Sequence, residues 1–488
     1  MLLTNDLLLY YKRCRRRAFL DIYGDLSSQD QEQDFLRKLR RDSQTHQQAV
    51  LAREAHYSPE YPRGDWQAGA KATLELMQQG RERISQSVLL MQTTQGVTLL
   101  SRPDLLIKQP GQSIFGDWTY VPTSIKLGRR PKPEYQIVAA FSAQLLAVAQ
   151  GICPKTAWLI LRRQDSYAVN LERWMPLMQD ILSECIETLL LHQEPEVFIS
   201  RQRCNLCRWY SSCYAIAQSQ EHISLLPGVT PARYRDLQTL GVTTVKSLAA
   251  ASISTLETVV TSEIASELVQ QAQSTVQNRA ILRQRHFSNT NTSETFRKAN
   301  TLPTAPVELY FDIEAEPELQ LDYLLGVLVI DRRTHTETFH PFLAETPNDE
   351  ASIWQQFLDL VALYPDAPIF HFSDYEVETV KRLVKLYKTP QSAKHLLSRF
   401  VDVHQQVMNT VTLPVESYSL KHLARWLGFE WRDAGITGQE CVCLYDQWLE
   451  SGDRSLLDLI LRYNEDDCRA TYHLKNWLVN FLHNPVQP

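Results

Sequence analysis

The sequence predicts a multidomain α/β protein. Its 488 residues are enough for two or three domains, each with a core of its own. Strand-like and helix-like patterns follow one another both in the first part of the chain and in the last. A polar, Thr- and Asn-rich stretch before the last part is typical of a linker. We therefore expect an α/β domain over residues 1–217, a small helical region over 218–285, a linker over 286–306 and a second α/β domain with a mixed sheet over 307–488.

Charge is distributed unevenly along the chain. Residues 1–217 carry a net charge of +5, residues 218–300 carry +2 and residues 301–488 carry −13, which gives the total of −6. This asymmetry suits a protein that holds a polyanion with its front part and metal ions with its back part. Chance segregation of surface charge is the alternative.

Two further features concern location. No apolar run approaches the roughly 20 residues that cross a bilayer. The N-terminal residues lack both the basic region and the small-residue cleavage site of a signal peptide. We therefore expect a cytoplasmic protein without membrane association.

Two acids, Asp312 and Glu314, end an apolar run that starts at Val307. Because side chains alternate along a strand, both carboxylates should point the same way, while Phe311 and Ile313 enter the core. Carboxylates on one face repel each other unless a cation lies between them, and a divalent metal ion is the natural candidate. A solvated acidic strand end is the alternative when this pair is considered by itself.

The last predicted helix adds a second acidic motif. It places Tyr463 and Asp467 four residues apart, on one helical face. Between the two motifs, the pattern predicts further strands and one helix. The predicted strands cover residues 323–330, 336–342 and 368–372, and the helix covers residues 353–361.

Together, these motifs resemble the DEDD exonucleases of the tyrosine subtype, and the order of elements is that of an RNase H-like sheet. The resemblance implies that Asp312, Glu314 and Asp467 hold two Mg²⁺ or Mn²⁺ ions and that Tyr463 orients the attacking water. The fourth acid follows the fourth strand. The candidates are Glu376, which the resemblance favours, Asp374 and, more distantly, Asp402.

Cysteines mark the front domain. The chain has nine, and in a cytoplasmic protein they favour metal ligation over disulfides. Cys204, Cys207 and Cys213 form a C-x2-C-x5-C run, and Cys14 lies among arginines far upstream. Four thiolates complete a cubane cluster or a tetrahedral zinc site. The arrangement resembles the iron–sulfur site of RecB-like nucleases, which implies a [4Fe–4S] cluster; zinc and the absence of a metal are the alternatives.

The same resemblance implies a restriction-endonuclease-like core in the front domain. The pattern of residues 97–107 predicts a strand pair with Asp104 at its turn. In a helical stretch upstream, His46 lies where this family often has a metal-binding histidine. Lys126 ends the next strand, but Ser124 stands where the family has Glu or Asp. Because the missing carboxylate normally bridges metal and activates water, we expect a domain that keeps its fold, cluster and DNA binding and has lost cleavage.

The middle region has a helical period that is broken at two Gly-Val turns, Gly228 and Gly241. It resembles a helix-hairpin-helix repeat, in which turn glycines let backbone N–H groups approach a phosphate. Arg233 and Lys246 are the candidate phosphate contacts. A purely structural adaptor is the alternative.

The whole chain resembles a RecB-like nuclease family that joins a cluster-bearing front domain to a YprB-type RNase H-like exonuclease. This implies a metal-dependent 3′–5′ exonuclease, with DNA favoured over RNA as its partner. Lys421 and Arg425, on the basic edge of a short helix, are candidate phosphate contacts, although a plain amphipathic helix explains them equally well. The alternative function is a non-catalytic Fe–S nucleic-acid-binding component of a repair or defence complex.

Overall fold

The residues that the computed structural model describes are 1–162, 166–283, 302–389 and 393–483. The chain divides into two units, Met1–Ile216 and Ala217–Pro488, and both combine helices with strands. Of the predicted linker, residues 286–301 lie outside the described residues.

The front unit begins with a short strand, which is followed by four α-helices and then by five consecutive strands. Its strands are β1 (Leu2–Thr4), β2 (Arg83–Ser85), β3 (Leu89–Gln92), β4 (Thr98–Ser101), β5 (Leu105–Ser113), β6 (Gly116–Lys126), β7 (Thr156–Leu161) and β8 (Tyr167–Asn170). Its helices are α1 (Asn5–Arg13), α2 (Arg15–Tyr23), α3 (Asp34–Leu51), α4 (Trp66–Gln78), α5 (Pro133–Gln150), α6 (Leu171–Leu190), α7 (Arg201–Cys204) and α8 (Tyr210–Ser219), the last of which runs across the boundary between the units.

The larger sheet of this unit has the order β2-β5-β6-β7-β8. Strand β6 pairs antiparallel with β5 and parallel with β7, and the connection between the two parallel strands is helix α5. This helix is apolar on most sides, with Ile137, Phe141 and Leu145 all buried, because it packs against strands and against α6.

The predicted strand pair around Asp104 is wrong. Strand β4 pairs with β1 and β3 in one sheet, whereas β5 pairs with β2 and β6 in another. The chain changes sheets at the connecting residues, which include Pro103, whose fixed φ and missing N–H do not continue a strand ladder. Asp104 therefore lies at the entrance to β5 and not in a hairpin turn.

The second unit starts with a helical part and continues into a five-stranded mixed sheet. Its strands are β9 (Ile281–Leu282), β10 (Val307–Glu316), β11 (Leu321–Asp331), β12 (Thr336–Leu343), β13 (Ile369–His371), β14 (Phe400–Asp402) and β15 (Val411–Thr412). Its helices are α9 (Pro231–Thr239), α10 (Val245–Ala250), α11 (Ile253–Leu256), α12 (Ser262–Gln277), α13 (Glu350–Leu363), α14 (Tyr375–Leu386), α15 (Ala393–Ser398), α16 (Val403–Thr410), α17 (Leu420–Trp426), α18 (Gly438–Ser451) and α19 (Arg454–His483).

The sheet of this unit has the order β12-β11-β10-β13-β14. Strand β11 runs antiparallel to β10 and β12, whereas β13 is parallel to both β10 and β14. Strands β10 and β11 are almost continuously buried, which explains their long apolar runs. The long helix α19 packs on β10 and β11. It thereby brings the Tyr463–Asp467 motif to the strand that carries Asp312 and Glu314.

The helical part of this unit is attached to the sheet part by hydrogen bonds. Helices α9 and α10 are joined by a turn in which Gly241 has a φ of +72°, a conformation that glycine adopts without strain. Further along, Gln271 on α12 donates from Nε2 to the Leu413 carbonyl at 2.7 Å, and strand β9 pairs with β15.

The two basic residues predicted to contact phosphate in this region are already engaged. Arg233 donates from Nη1 to the Gly228 carbonyl at 2.6 Å. Lys246 forms a 2.7 Å ion pair with Glu221. None of the helices in the described part of the chain has the length and apolarity that a membrane span requires.

Candidate metal centre

The two acidic motifs of the second unit meet at one place. Asp312 and Glu314 extend from the same side of the central strand β10, and Asp467 extends from α19. Each offers a carboxylate oxygen, and these oxygens lie within 4.8 Å of one another. The pairing of β10 with β11 shifts register between Glu314 and Ala315, and such an irregularity re-aims side chains beside it.

Asp312, Glu314 and Asp467 together form an acidic centre. Its electrostatics are unfavourable without a cation. Burial, followed by the charges of Asp467, Glu314 and Glu376, raises the pKa of Asp312 well above its usual range. Burial and the Asp467 charge do the same for the pKa of Glu314. The pKa of Asp467 rises to about 7, mainly through burial, although Trp431 and Lys421 oppose the rise. Clustered carboxylate oxygens are the ligands that Mg²⁺ and Mn²⁺ prefer, so the residues fit a divalent ion.

Of the candidates for the fourth acid, the structure brings Glu376 to this centre. It is 4% exposed, and its charge acts on both Asp312 and Glu314. Asp374 is exposed at the start of α14, and Asp402 caps α16 by accepting from the Gln405 N–H.

The loop before Glu376 is held by contacts that the sequence did not reveal. Ser373 has a φ of +99°, which is strained for a residue other than glycine. His371 Nδ1 lies 2.7 Å from the Ser373 carbonyl oxygen and 3.5 Å from Glu376 Oε2. The Ser373 N–H donates to Asp402 at 3.2 Å. These contacts hold the backbone of the loop that leads into Glu376.

Helix α14 itself is anchored to the sheet by a charge network whose two acids are buried and whose arginine is exposed. Arg382 on this helix pairs with Asp322 of β11 and, at 2.7 Å, with Glu350 of α13. Tyr375 donates to Asp322 at 3.2 Å. Glu376 thus extends from a helix whose position is set on two sides.

Tyr463 lies one turn before Asp467 on the same face of α19. Its phenol is 7% exposed, and burial together with the charges of Asp467 and Glu314 raises its pKa far above the usual value. The phenol therefore stays neutral, and it can orient a water molecule without serving as a base.

Two side chains that the sequence motifs did not identify hold the acids in place. Trp431 donates from Nε1 to Asp467 Oδ1 at 2.7 Å, and Asn464 donates from Nδ2 to Asp312 Oδ2 at 2.6 Å. Asn464 fits because Gly326 lies opposite Asp312 on β11, where a Cβ would come within 1.7 Å of Asn464 Oδ1. A glycine inside an apolar strand signals such a close approach.

The two predicted phosphate contacts of α17 differ in position. The charge of Lys421 lowers the pKa of Glu314 and of Asp467, so this side chain belongs to the acidic centre. Arg425, one turn further along, is exposed.

Asp104 and Lys126 of the predicted front site also lie together, but the balance of charge around them differs from that of the acidic centre. Asp104 accepts from Gln47 Nε2 and from the Ile125 N–H, each at 2.6 Å, and Lys126 Nζ lies 3.7 Å from it. On the neighbouring helix α3, the pKa of His46 is lowered by burial and then by positive charges nearby. Asp104 is thus already surrounded by donors.

The four cysteines of the predicted cluster are close enough to act on one another. The pKa of Cys204 rises to about 11, first through burial and then through the charges of the other three, Cys14, Cys207 and Cys213. Burial raises the pKa of Cys213, and the nearby Arg16 opposes this rise.

Comparison with known proteins bears on the second unit. Comparison with curated protein sequences finds no match. A family model of the RNase H superfamily matches residues 309–479, a range that contains all three carboxylates of the acidic centre. The chain therefore ends in an RNase H-like domain, which suggests a metal-dependent nuclease that hydrolyses phosphodiester bonds in a nucleic acid.

Proposed function

We propose that the protein is a 3′–5′ exonuclease that acts on DNA in preference to RNA, with its catalytic site at the acidic centre of the RNase H-like domain. One observation carries the proposal: ligand oxygens of Asp312, Glu314 and Asp467 converge within 4.8 Å. Burial and the neighbouring negative charges raise the pKa values of these three carboxylates, as expected of side chains that bind a cation.

Asp312, Glu314 and Asp467 would hold Mg²⁺ or Mn²⁺, with Glu376 beside them. When bound, such ions supply an activated water molecule and stabilise the charge that develops on the phosphate. The protein's own residues have separate tasks. Trp431 and Asn464 each hold one carboxylate in a fixed orientation. Tyr463, neutral beside Asp467, orients the water by hydrogen bonding.

Labelled oligonucleotides test this proposal. The full-length protein, with Mn²⁺ or Mg²⁺, should shorten a 5′-labelled DNA strand into a ladder of products, and a matched RNA strand should be shortened more slowly. A 3′-labelled strand should release its label at once. Wild-type protein that binds divalent metal by calorimetry and cleaves neither DNA nor RNA would contradict the proposal.

For the front unit, we propose a [4Fe–4S] cluster on Cys14, Cys204, Cys207 and Cys213 and a role in binding nucleic acid without cutting it. The cluster is supported by a contact that joins the two cysteine segments, because Arg203, beside Cys204, donates to the carbonyl of Arg13, beside Cys14, at 2.9 Å. The donors around Asp104 and the serine at position 124, which is 4% exposed, support the loss of cleavage.

The cluster is tested by purification without oxygen. A brown protein with equal amounts of iron and acid-labile sulfide, and loss of both in Cys204→Ser, is expected. A colourless protein that contains zinc would contradict it. Salt-sensitive DNA binding that persists without divalent metal, combined with no cleavage at all, would favour the non-catalytic alternative for the whole chain.

A further inference from the structure

Lys421 lies in an unusual place for a residue that contacts substrate phosphates. Its ammonium donates to the Ile436 carbonyl and lies 4.6 Å from the centroid of the Tyr463 ring. It also lies 5.5 Å from the centroid of the Trp431 ring. The side chain is partly buried, in contrast to that of Arg425 on the same helix.

The two rings that Lys421 contacts both lie beside Asp467. Trp431 donates to Asp467 at 2.7 Å, and Tyr463 lies one turn before Asp467 on the same face of α19. An ammonium close to an aromatic ring is attracted to the negative potential of its π-system. The ammonium therefore links the two neighbours of Asp467 to the backbone of residue 436.

The charge of Lys421 also reaches the acids themselves. Its ammonium lies against the rings of Trp431 and Tyr463, and Trp431 itself donates to Asp467. A fixed cation in this position offsets part of the repulsion among three converging carboxylates before any metal arrives. A lysine that serves only as a phosphate anchor would not need these contacts.

We propose that Lys421 is a positioning residue of the acidic centre, which holds Tyr463 and Trp431 around Asp467 and places its ammonium beside the metal ligands. The inference rests on the proposed exonuclease function and gives Lys421 a role different from that of Arg425, which remains the candidate phosphate contact of this helix.

Kinetics separate the two roles. Lys421→Met should lower kcat about 100-fold and leave KM within about threefold, because it disturbs the reacting groups and not the grip on the strand. Lys421→Arg, which keeps the charge, should recover at least a tenth of wild-type kcat. Arg425→Met should mainly raise KM. Lys385→Met, at an exposed position near the end of α14, is the matched control without effect. A rise of KM at constant kcat in Lys421→Met would overturn the proposal.

Two measurements remain informative even if the protein proves not to be a nuclease. Without metal, DNA binding should lose about one unit of salt dependence in Arg425→Met and none in Lys421→Met. Thermal unfolding of Lys421→Met, Tyr463→Leu and the double variant forms a double-mutant cycle. The shift of the midpoint in the double variant should be smaller than the sum of the shifts in the two single variants. Additive shifts, or a reduced salt dependence in Lys421→Met, would overturn the proposal independently of cleavage.

Discussion

The acidic centre of the RNase H-like domain and the Asp104 site of the front unit both place an acid on or beside a strand, yet their charge balance is opposite. Around Asp312, three carboxylates converge, and burial makes their ionisation costly. Around Asp104, a side-chain amide, a backbone N–H and a lysine surround one carboxylate. The difference teaches that excess carboxylate, and not an acid at a strand end, distinguishes a metal centre from a satisfied hydrogen-bond acceptor.

The largest effect that would test this comparison is the loss of catalysis in Asp312→Asn. The substitution keeps the size of the side chain and removes a metal ligand, so cleavage should fall at least about 1000-fold. End-labelled strands with Mn²⁺ measure the fall. The metal-free protein should become more stable, because one of the repelling charges is gone. Near-normal cleavage would show that the reaction does not depend on this centre.

Stability as a function of pH should sharpen the contrast. The folded-state pKa of Asp467 is about 7, above the usual value of 3.8, so the folded protein holds a proton that the unfolded chain releases. Stability of the metal-free protein should therefore fall as pH rises from about 4 to about 7, by up to about 4 kcal/mol from this group.

Thermal unfolding in EDTA measures this fall, and Asp467→Asn should flatten it. Added Mn²⁺ should restore stability at the upper end of the range, because it binds the folded state. A pH profile that is the same in wild type and Asp467→Asn would contradict the raised pKa.

A smaller effect is expected from the glycine that makes room for Asn464. Gly326→Ala places a Cβ 1.7 Å from Asn464 Oδ1, so Asn464 must move and release Asp312. Urea unfolding should show a loss of about 2–3 kcal/mol, together with reduced cleavage. Gly438→Ala is the matched control, because nothing lies within 4 Å of its added Cβ. Equal behaviour of the two variants would show that the close approach is not important.

The smallest effect is expected at the Asp104 site of the front unit. Asp104→Asn should leave cleavage within about twofold of wild type and lower stability by about 1 kcal/mol, because one acceptor oxygen is replaced by a donor. The assay with end-labelled strands measures the cleavage, and urea unfolding measures the stability. A loss of cleavage as large as that of Asp312→Asn would mean that the front unit takes part in catalysis.

Local patterns predicted much of the acidic centre. Strand alternation places Asp312 and Glu314 on one face, and helical spacing places Tyr463 above Asp467, because both depend on backbone geometry alone. Trp431 and Asn464 were missed because their partners lie 36 and 152 residues away in sequence, at distances that only tertiary packing sets. The β4–β5 pairing was wrong for the same reason, since alternation does not say which sheet a strand joins.

The hydrogen bonds between α12 and the β15 region limit how this chain can be dissected. Gln271 donates to the Leu413 carbonyl and accepts from Tyr418, and Arg283 donates to the backbone of residues 410 and 411. A fragment that starts at residue 307 would leave these backbone groups without their partners and should unfold more readily than the longer piece. The smallest autonomous catalytic fragment is therefore expected to begin near residue 217 and not at the first strand of its sheet.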